Sequence, residues 1–131
     1  MRIARQGELL SPGGVWLAGT KENLTYQNGV ALYTAPPEDA VHSPSIDVLF
    51  FSLARPHRTL RVGVLLTGMG RDGAAGLLEL RKSGALTIAQ DAATSVVYGM
   101  PKAAADLHAA DEVLPPLPWA TGRLAPNLRA V

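Results

Sequence analysis

The 131-residue sequence predicts an α/β fold with parallel strands, and two stretches carry that reading. Val62 to Thr67 is an apolar run that breaks into Gly68-Met69-Gly70-Arg71-Asp72-Gly73 and is followed by helix formers from Ala74 to Lys82: a buried strand, a tight glycine turn and a helix start. Leu86 to Gln90 is a second apolar run at the spacing of a β-α-β unit, which requires parallel strands. In an open α/β sheet, reacting groups collect where strands end on their carboxyl side. Asp72 and the Met69 backbone are predicted to lie there.

The length suffices for one domain with one core. A hydrophobic content of 47% supports packing and argues against disorder. The net charge is +1 with scattered basic residues, and the densest basic stretch, Arg55 to Arg61, reads as a solvated loop. A nucleic-acid binder needs a continuous basic face. The absence of cysteine excludes disulfides and thiolate metal sites. No His-x-x-x-His or acidic cluster suggests a metal site, and no cofactor is expected. No run is long enough to span a membrane, and no signal region opens the chain, so a soluble, cytoplasmic domain is expected.

Met1 to Leu10 is polar and weakly patterned, which leads to the expectation that Met1 is not the natural start. Ser11 to Gly14 is a turn, Val15 to Ala18 a short strand, and Gly19 to Asn23 a loop. Leu24 to Tyr33 is a β-hairpin closed by a type I′ turn at Asn28-Gly29, which sets Tyr26 opposite Ala31 and Leu24 opposite Tyr33, with Thr25 and Leu32 on the other face. Thr34 to Ser43 is a loop. Ser45 caps a helix whose buried stripe is Ile46, Leu49, Phe50 and Leu53, and Pro56 and His57 end it.

Val62 to Thr67 is expected to be the central strand. The helix from Asp72 to Lys82 turns Ala74, Leu77, Leu78 and Arg81 to one side, and Ser83-Gly84 stops it. Asp91 to Met100 is a loop with an apolar island at Val96-Val97-Tyr98. Pro101 opens a short helix to His108, Glu112 to Leu114 is an edge strand, and Pro118 opens a C-terminal helix holding Trp119.

Three readings of Asp72 stand on pattern alone. A carboxylate at a helix N-terminus can simply satisfy free N–H groups and complement the dipole. Gly68, Gly70 and Gly73 also fit G-x-G-x-x-G after a strand, with Asp91 placed to hold a ribose hydroxyl, which is a dinucleotide-binding pattern. Asp72 argues against it, since its charge would repel a pyrophosphate. The third reading makes Asp72 the orienting acid of a nucleophile–His–Asp triad, with the Met69 N–H aimed at a developing oxyanion.

Thr67-Gly-Met-Gly-Arg-Asp-Gly-Ala-Ala-Gly resembles the signature of the chemotaxis-type protein-glutamate methylesterases, the CheB family. Pro44-Ser-Ile-Asp-Val-Leu-Phe is similar to the family's Pro-Ser-Val-Asp-Val-Leu-Phe helix, and Thr87-Ile-Ala-Gln-Asp and Val97-Tyr-Gly-Met-Pro-Lys resemble its later motifs. The four motifs keep their order between about Ser11 and Leu114. Tyr33 to Pro37, Arg71 and Lys102 resemble the Wsp-type surface-signalling branch.

The resemblance implies a doubly wound α/β domain with a Ser-His-Asp triad. It implies hydrolysis of glutamyl methyl esters on chemoreceptors, with release of methanol, and deamidation of particular receptor glutamines. Asp72 matches the triad acid and Met69 the oxyanion-hole backbone donor. The implied partners are methylated chemoreceptor-type proteins and the enzyme's own receiver domain, with no nucleic acid and no membrane insertion.

The family's nucleophilic Ser and catalytic His lie on motifs that this chain does not show. The chain is therefore expected to be the C-terminal two-thirds of a catalytic domain, incomplete at its N-terminal side, without a receiver domain and inactive alone. Asn23 stands where the family often has His. Of the histidines present, His42 is expected to line the cleft, while His57 and His108 read as surface residues. Ser43, Ser45, Ser52 and Ser95 are not in a strand-to-helix elbow. A signalling or interaction domain without catalysis is the remaining alternative.

Overall fold

A computed structural model describes residues 1–55 and 59–116. The expected end of the first helix at Pro56 and His57, and the helix expected from Pro118, lie outside the described residues.

Eleven elements follow one another. They are β1 (Arg2–Ile3), β2 (Glu8–Leu9), β3 (Trp16–Leu17), β4 (Asn23–Gln27), β5 (Val30–Thr34), α1 (Ile46–Leu53), β6 (Val62–Leu65), α2 (Ala74–Lys82), β7 (Leu86–Gln90), α3 (Met100–Asp106) and β8 (Glu112–Leu114). They form a parallel sheet β6-β7-β8, an antiparallel sheet β2-β5-β4 and a parallel pair β1-β3.

The hairpin β4-β5 has the expected register, with Leu24 opposite Tyr33, Thr25 opposite Leu32 and Tyr26 opposite Ala31. Asn28 and Gly29 both have positive φ, 49° and 86°, which the right-handed twist of the flanking strands favours at a two-residue turn. The β6-α2-β7 unit is parallel, as its spacing requires, with Val64 opposite Ile88.

Three expectations need correction. Within the described residues β7, not β6, is the middle strand, and Val62 at the start of β6 is 49% exposed. An apolar run shows that a strand is buried somewhere along its length, not how many neighbours it has. The polar start of the chain forms strands β1 and β2, which a polar side-chain pattern conceals because backbone pairing and the Glu8 contacts fix them. Glu8 accepts from the Arg5 N–H at 2.9 Å and from the Trp16 indole N–H at 3.2 Å, and it pairs with Arg2.

The third correction concerns α2. Its buried residues are Ala74, Gly76, Leu77 and Leu80, while Arg81 is exposed. Arg81 instead clamps the far end of the sheet. Its Nε donates to Asp111 Oδ1 at 2.7 Å and its Nη1 to the His108 carbonyl at 2.5 Å. The helix stops as expected, with Gly84 at φ 93° and Ala85 N–H returning to the Leu80 carbonyl at 3.1 Å.

The core is built where α2 and α3 cover the parallel sheet. Phe50, Leu65, Leu77, Leu80, Ala89 and Ala104 are among its buried members. Helices α1 and α2 approach so closely that Gly76 has no room for a side chain. A Cβ there would sit 2.7 Å from Phe50 Cβ and 2.9 Å from the Asp47 carbonyl oxygen. Of the basic stretch expected to be a solvated loop, Arg61 is half-buried. Arg61 Nη1 donates to the carbonyls of Leu53 and Arg55, at the C-terminal end of α1 where a cation complements the dipole.

Gly76→Ala is expected to lower stability by about 1–3 kcal/mol, because backbone atoms cannot rotate away. Urea unfolding measures this, and an unchanged midpoint would exclude the close approach. A second expectation concerns Asp111. Burial pushes its carboxyl up, but the Thr87 N–H, the Arg81 guanidinium and the Thr87 hydroxyl together hold it below the ordinary Asp value of 3.8. A depressed folded-state value adds stability above the unfolded-state value, lost as pH falls through the folded-state one. Asp111→Asn should therefore be less stable at neutral pH and lose less stability than the parent on acidification from about pH 5 to 2, followed by thermal melts.

Candidate active site at the Asp72 turn

Asp72 lies between the C-terminal end of β6 and the start of α2, as expected, but it does not cap α2. Gly73 is the N-cap of α2, in left-handed conformation at φ 88°, and makes no side-chain bond. The Asp72 carboxylate instead reaches the N-terminus of α1. Oδ2 accepts from the Ile46 N–H at 2.7 Å, and Oδ1 accepts from the Asp47 N–H at 3.1 Å and from the Ser45 hydroxyl at 2.9 Å. The side chain is 9% exposed.

The capping is reciprocal. Asp47, in the first turn of α1, accepts from the Gly76 N–H of α2 at 2.6 Å through Oδ1. Ser45 is the N-cap of α1 as predicted, with Oγ accepting from the Val48 N–H at 3.4 Å. Ser45 therefore has two tasks, cap and donor to Asp72. Sequence reasoning found only the first. An Asp two residues after an N-cap residue was the available signal for Asp47, but its partner comes from 29 positions away.

Despite these bonds Asp72 opens onto a cleft. Asn23, Pro37, Ala40, Val41, His42, Ser45, Asp47 and Val48 line it with Asp72. His42 is there as expected, its imidazole within about 4 Å of a Cβ position built on Gly70. It is exposed and donates to no acceptor among the described residues. Asn23 is buried at 3% and accepts from the Ser45 N–H at 2.8 Å, so the residue that replaces a family His supports the cap that holds Asp72. His108 lies at the opposite end of the molecule beside Arg81, and His57 is outside the described residues.

The turn that carries Met69 is held on both sides. Thr67 N–H donates to Gln90 Oε1 at 2.8 Å. The Thr67 hydroxyl donates to the Val97 carbonyl at 3.0 Å and accepts from the Val97 N–H at 2.9 Å. Gly68 N–H reaches the Val97 carbonyl at 3.0 Å, and Met100 N–H reaches the Gly68 carbonyl at 2.8 Å. The apolar island at Val96-Val97-Tyr98 is thus a backbone brace for the turn, while the Val96 side chain is 91% exposed. Gln90, 5% exposed at the end of β7, was missed by sequence reasoning. An amide side chain closing an apolar strand was its signal.

The Met69 side chain is 85% exposed, and its N–H meets no acceptor among the described residues. A free donor and a fixed carboxylate therefore occupy one turn, three residues apart. A fixed carboxylate can orient an imidazole and stabilise its protonated form, and a free N–H can bind a developing oxyanion.

The glycine pattern has another explanation than a phosphate cradle. A Cβ on Gly68 would lie 2.1 Å from Met100 Cε, and one on Gly73 would lie 2.7 Å from Leu65 Cδ1. These glycines admit neighbouring side chains. Asp91 accepts from the Thr94 N–H at 3.1 Å and from the Thr94 hydroxyl, closing its own loop.

The parallel sheet with its flanking helices defines an α/β domain with a strand-end turn as its candidate site, and comparison with known proteins specifies the family. The family model described as CheB methylesterase matches residues 1–120, and the chain belongs to that family. It is 56% identical over 125 residues to the protein-glutamate methylesterase/protein-glutamine glutaminase of group 3 operon of Pseudomonas putida, covering 95% of this chain and 37% of that protein. Identity is 51% to protein-glutamate methylesterase/protein-glutamine glutaminase 3 of Pseudomonas aeruginosa, covering 100% of this chain and 38% of that protein. The crystal structure of the Thermotoga maritima CheB methylesterase catalytic domain superposes with a TM-score of 0.79 at 32% identity, over 92% of this chain and 66% of that one. The chain thus spans a little over a third of the length of the curated relatives it matches.

Asp72→Ala removes the acceptor for three donors and is expected to lower stability by about 2–3 kcal/mol. Met69→Ala, at an exposed side chain, should change it by less than about 0.5 kcal/mol. Chemical denaturation of both variants checks the contrast.

Proposed function

We propose that this chain supplies the acid and the oxyanion donor of a protein-glutamate methylesterase that acts on chemoreceptor-type proteins, with glutamine deamidation as a second activity. One observation carries the reading. Asp72 is a buried carboxylate, fixed by three donors at the start of another helix, that still lines a cleft and shares its turn with the unaccepted Met69 N–H. The activities for which the Pseudomonas relatives are named support it.

In this proposal the nucleophilic serine and the catalytic histidine stand on a segment of the intact protein outside this chain. The serine hydroxyl loses its proton to the imidazole as its oxygen attacks the γ-carbonyl of the glutamyl ester. Asp72 orients that imidazole and stabilises the imidazolium. The carbonyl oxygen becomes an oxyanion and accepts from the Met69 N–H. The imidazolium then protonates the departing methoxide, and methanol leaves. Water, deprotonated by the same imidazole, attacks the acyl-enzyme carbonyl, and the imidazolium returns its proton to the departing serine oxygen, freeing the glutamate carboxyl group. A glutamine side chain follows the same course with ammonia as the leaving group.

His42 does not take the base's part in this scheme. It lies on the cleft wall but makes no hydrogen bond to Asp72. The proposed setting is the cytoplasm, with a receiver domain of the same protein as regulatory partner. Among the described residues no helix is long and apolar enough to cross a membrane.

Asp72→Asn in the intact protein should lower turnover by roughly 10³–10⁴-fold, provided circular dichroism shows the fold retained. The 131-residue chain alone should show no triad-level methanol release. Turnover by the short chain that matches the intact protein would refute the division of the triad.

A further inference from the structure

The turn that presents Asp72 also carries a full positive charge that the hydrolytic scheme does not use. Arg71 is exposed and lines a shallow depression with Gly99, Lys102, Ala103 and Asp106. No carboxylate among the described residues pairs with it. Lys102 differs, because its Nζ donates to Asp106 Oδ2 at 2.7 Å, one turn along α3, and that partner holds its pKa above the ordinary lysine value. The nearby acids are otherwise engaged. Asp72 and Asp47 cap helices, and Asp91 bonds Thr94. Two cations and one acid thus leave the surplus charge of this rim on Arg71.

The chemistry of the proposed substrate gives that charge a use. A glutamyl methyl ester is neutral, so the reacting group offers no charge to attract. Charge on neighbouring side chains of the substrate polypeptide is the available long-range handle. A carboxylate one helical turn from the ester lies about 5–6 Å away on the same face. Arg71 stands next to Asp72 in the chain, with Cα atoms about 3.8 Å apart, and its planar guanidinium matches a carboxylate in two-point geometry. We propose that Arg71 is a specificity-determining residue, which binds a substrate carboxylate beside the ester and so favours esters set in acidic segments. This rests on the esterase reading above. Arg71 touches the flanking residue and not the reacting atoms, so it acts on substrate binding and not on the chemical step.

The test uses two synthetic helical peptides of equal length. Each carries one γ-methyl glutamyl ester, flanked three and four positions away by Glu in one and by Gln in the other. Methanol release by the intact enzyme is measured with the parent, Arg71→Ala and Arg71→Glu. The parent should show kcat/KM about two- to fivefold higher for the Glu-flanked peptide. The difference should lie in KM and shrink at about 0.5 M salt. Arg71→Ala should equalise the two peptides, and Arg71→Glu should reverse the preference, each change in the peptide ratio lying in KM. A parent enzyme that hydrolyses both peptides equally, or an Arg71→Ala variant that keeps the preference, overturns the proposal and leaves the esterase reading intact. A parent that hydrolyses neither peptide overturns the esterase reading and this one with it.

Discussion

Two helices in this protein each close the other's open end. Asp72, which precedes α2, bonds the first N–H groups of α1, while Asp47 within α1 bonds an N–H in the first turn of α2. An isolated helix N-terminus leaves N–H groups without partners. Here the Ile46 and Asp47 N–H groups go to Asp72, that of Val48 to Ser45 Oγ, and that of Leu49 to the Ser45 carbonyl at 3.4 Å. The arrangement works only because α1 and α2 nearly touch at Gly76. Helix contact and carboxylate exchange are therefore one constraint. Loss of either separates the helices and releases Asp72.

The electrostatics of this pair bear on the imidazolium of the proposed reaction. Each helix N-terminus contributes roughly half a positive charge. The two termini together bring about one positive charge, against two carboxylates placed between them. The wall of the cleft thus keeps roughly one unit of negative charge after the helices are served. Neutral protein offers no such surplus to an imidazolium. Arg71, adjacent in sequence, lines a neighbouring depression with Lys102 and makes no ion pair with Asp72.

Local features were legible in the sequence wherever a short-range rule decides the geometry. Asn28-Gly29 fixed the hairpin register, Ser45 after Pro44 marked a helix start, and the apolar runs at Val62 and Leu86 gave a parallel unit. The Asp72 turn was placed correctly at a strand end. What it contacts was not legible, because its donors are 25 to 27 residues away and a capping residue normally serves the helix it precedes. The same limit hid Gln90, whose amide binds Thr67, 23 positions back, and the contacts of Arg81, which helical periodicity set on one side with Ala74, Leu77 and Leu78. Long aliphatic stems with charged tips follow no stripe; their heads go where carbonyls and carboxylates lie. Strand neighbours were likewise beyond reach, since side-chain pattern does not report pairing partners.

In the reading proposed above Asp72 both holds α1 and serves an imidazole, which raises the question of whether the first competes with the second. The geometry argues that the duties reinforce each other. An orienting acid works by fixed position, and a side chain free to rotate would lose the advantage of a preorganised site. Three donors from one helix turn hold both oxygens of Asp72, and that turn is in turn held by Asn23, Asp47 and the α2 contact. A carboxylate oxygen accepts about two hydrogen bonds. Oδ1 takes two within the protein and Oδ2 takes one, that of Ile46. The remaining acceptor direction is on the oxygen with the shortest and most firmly held bond. The helix thus fixes the acid and leaves one acceptor direction of Oδ2 without a partner among the described residues.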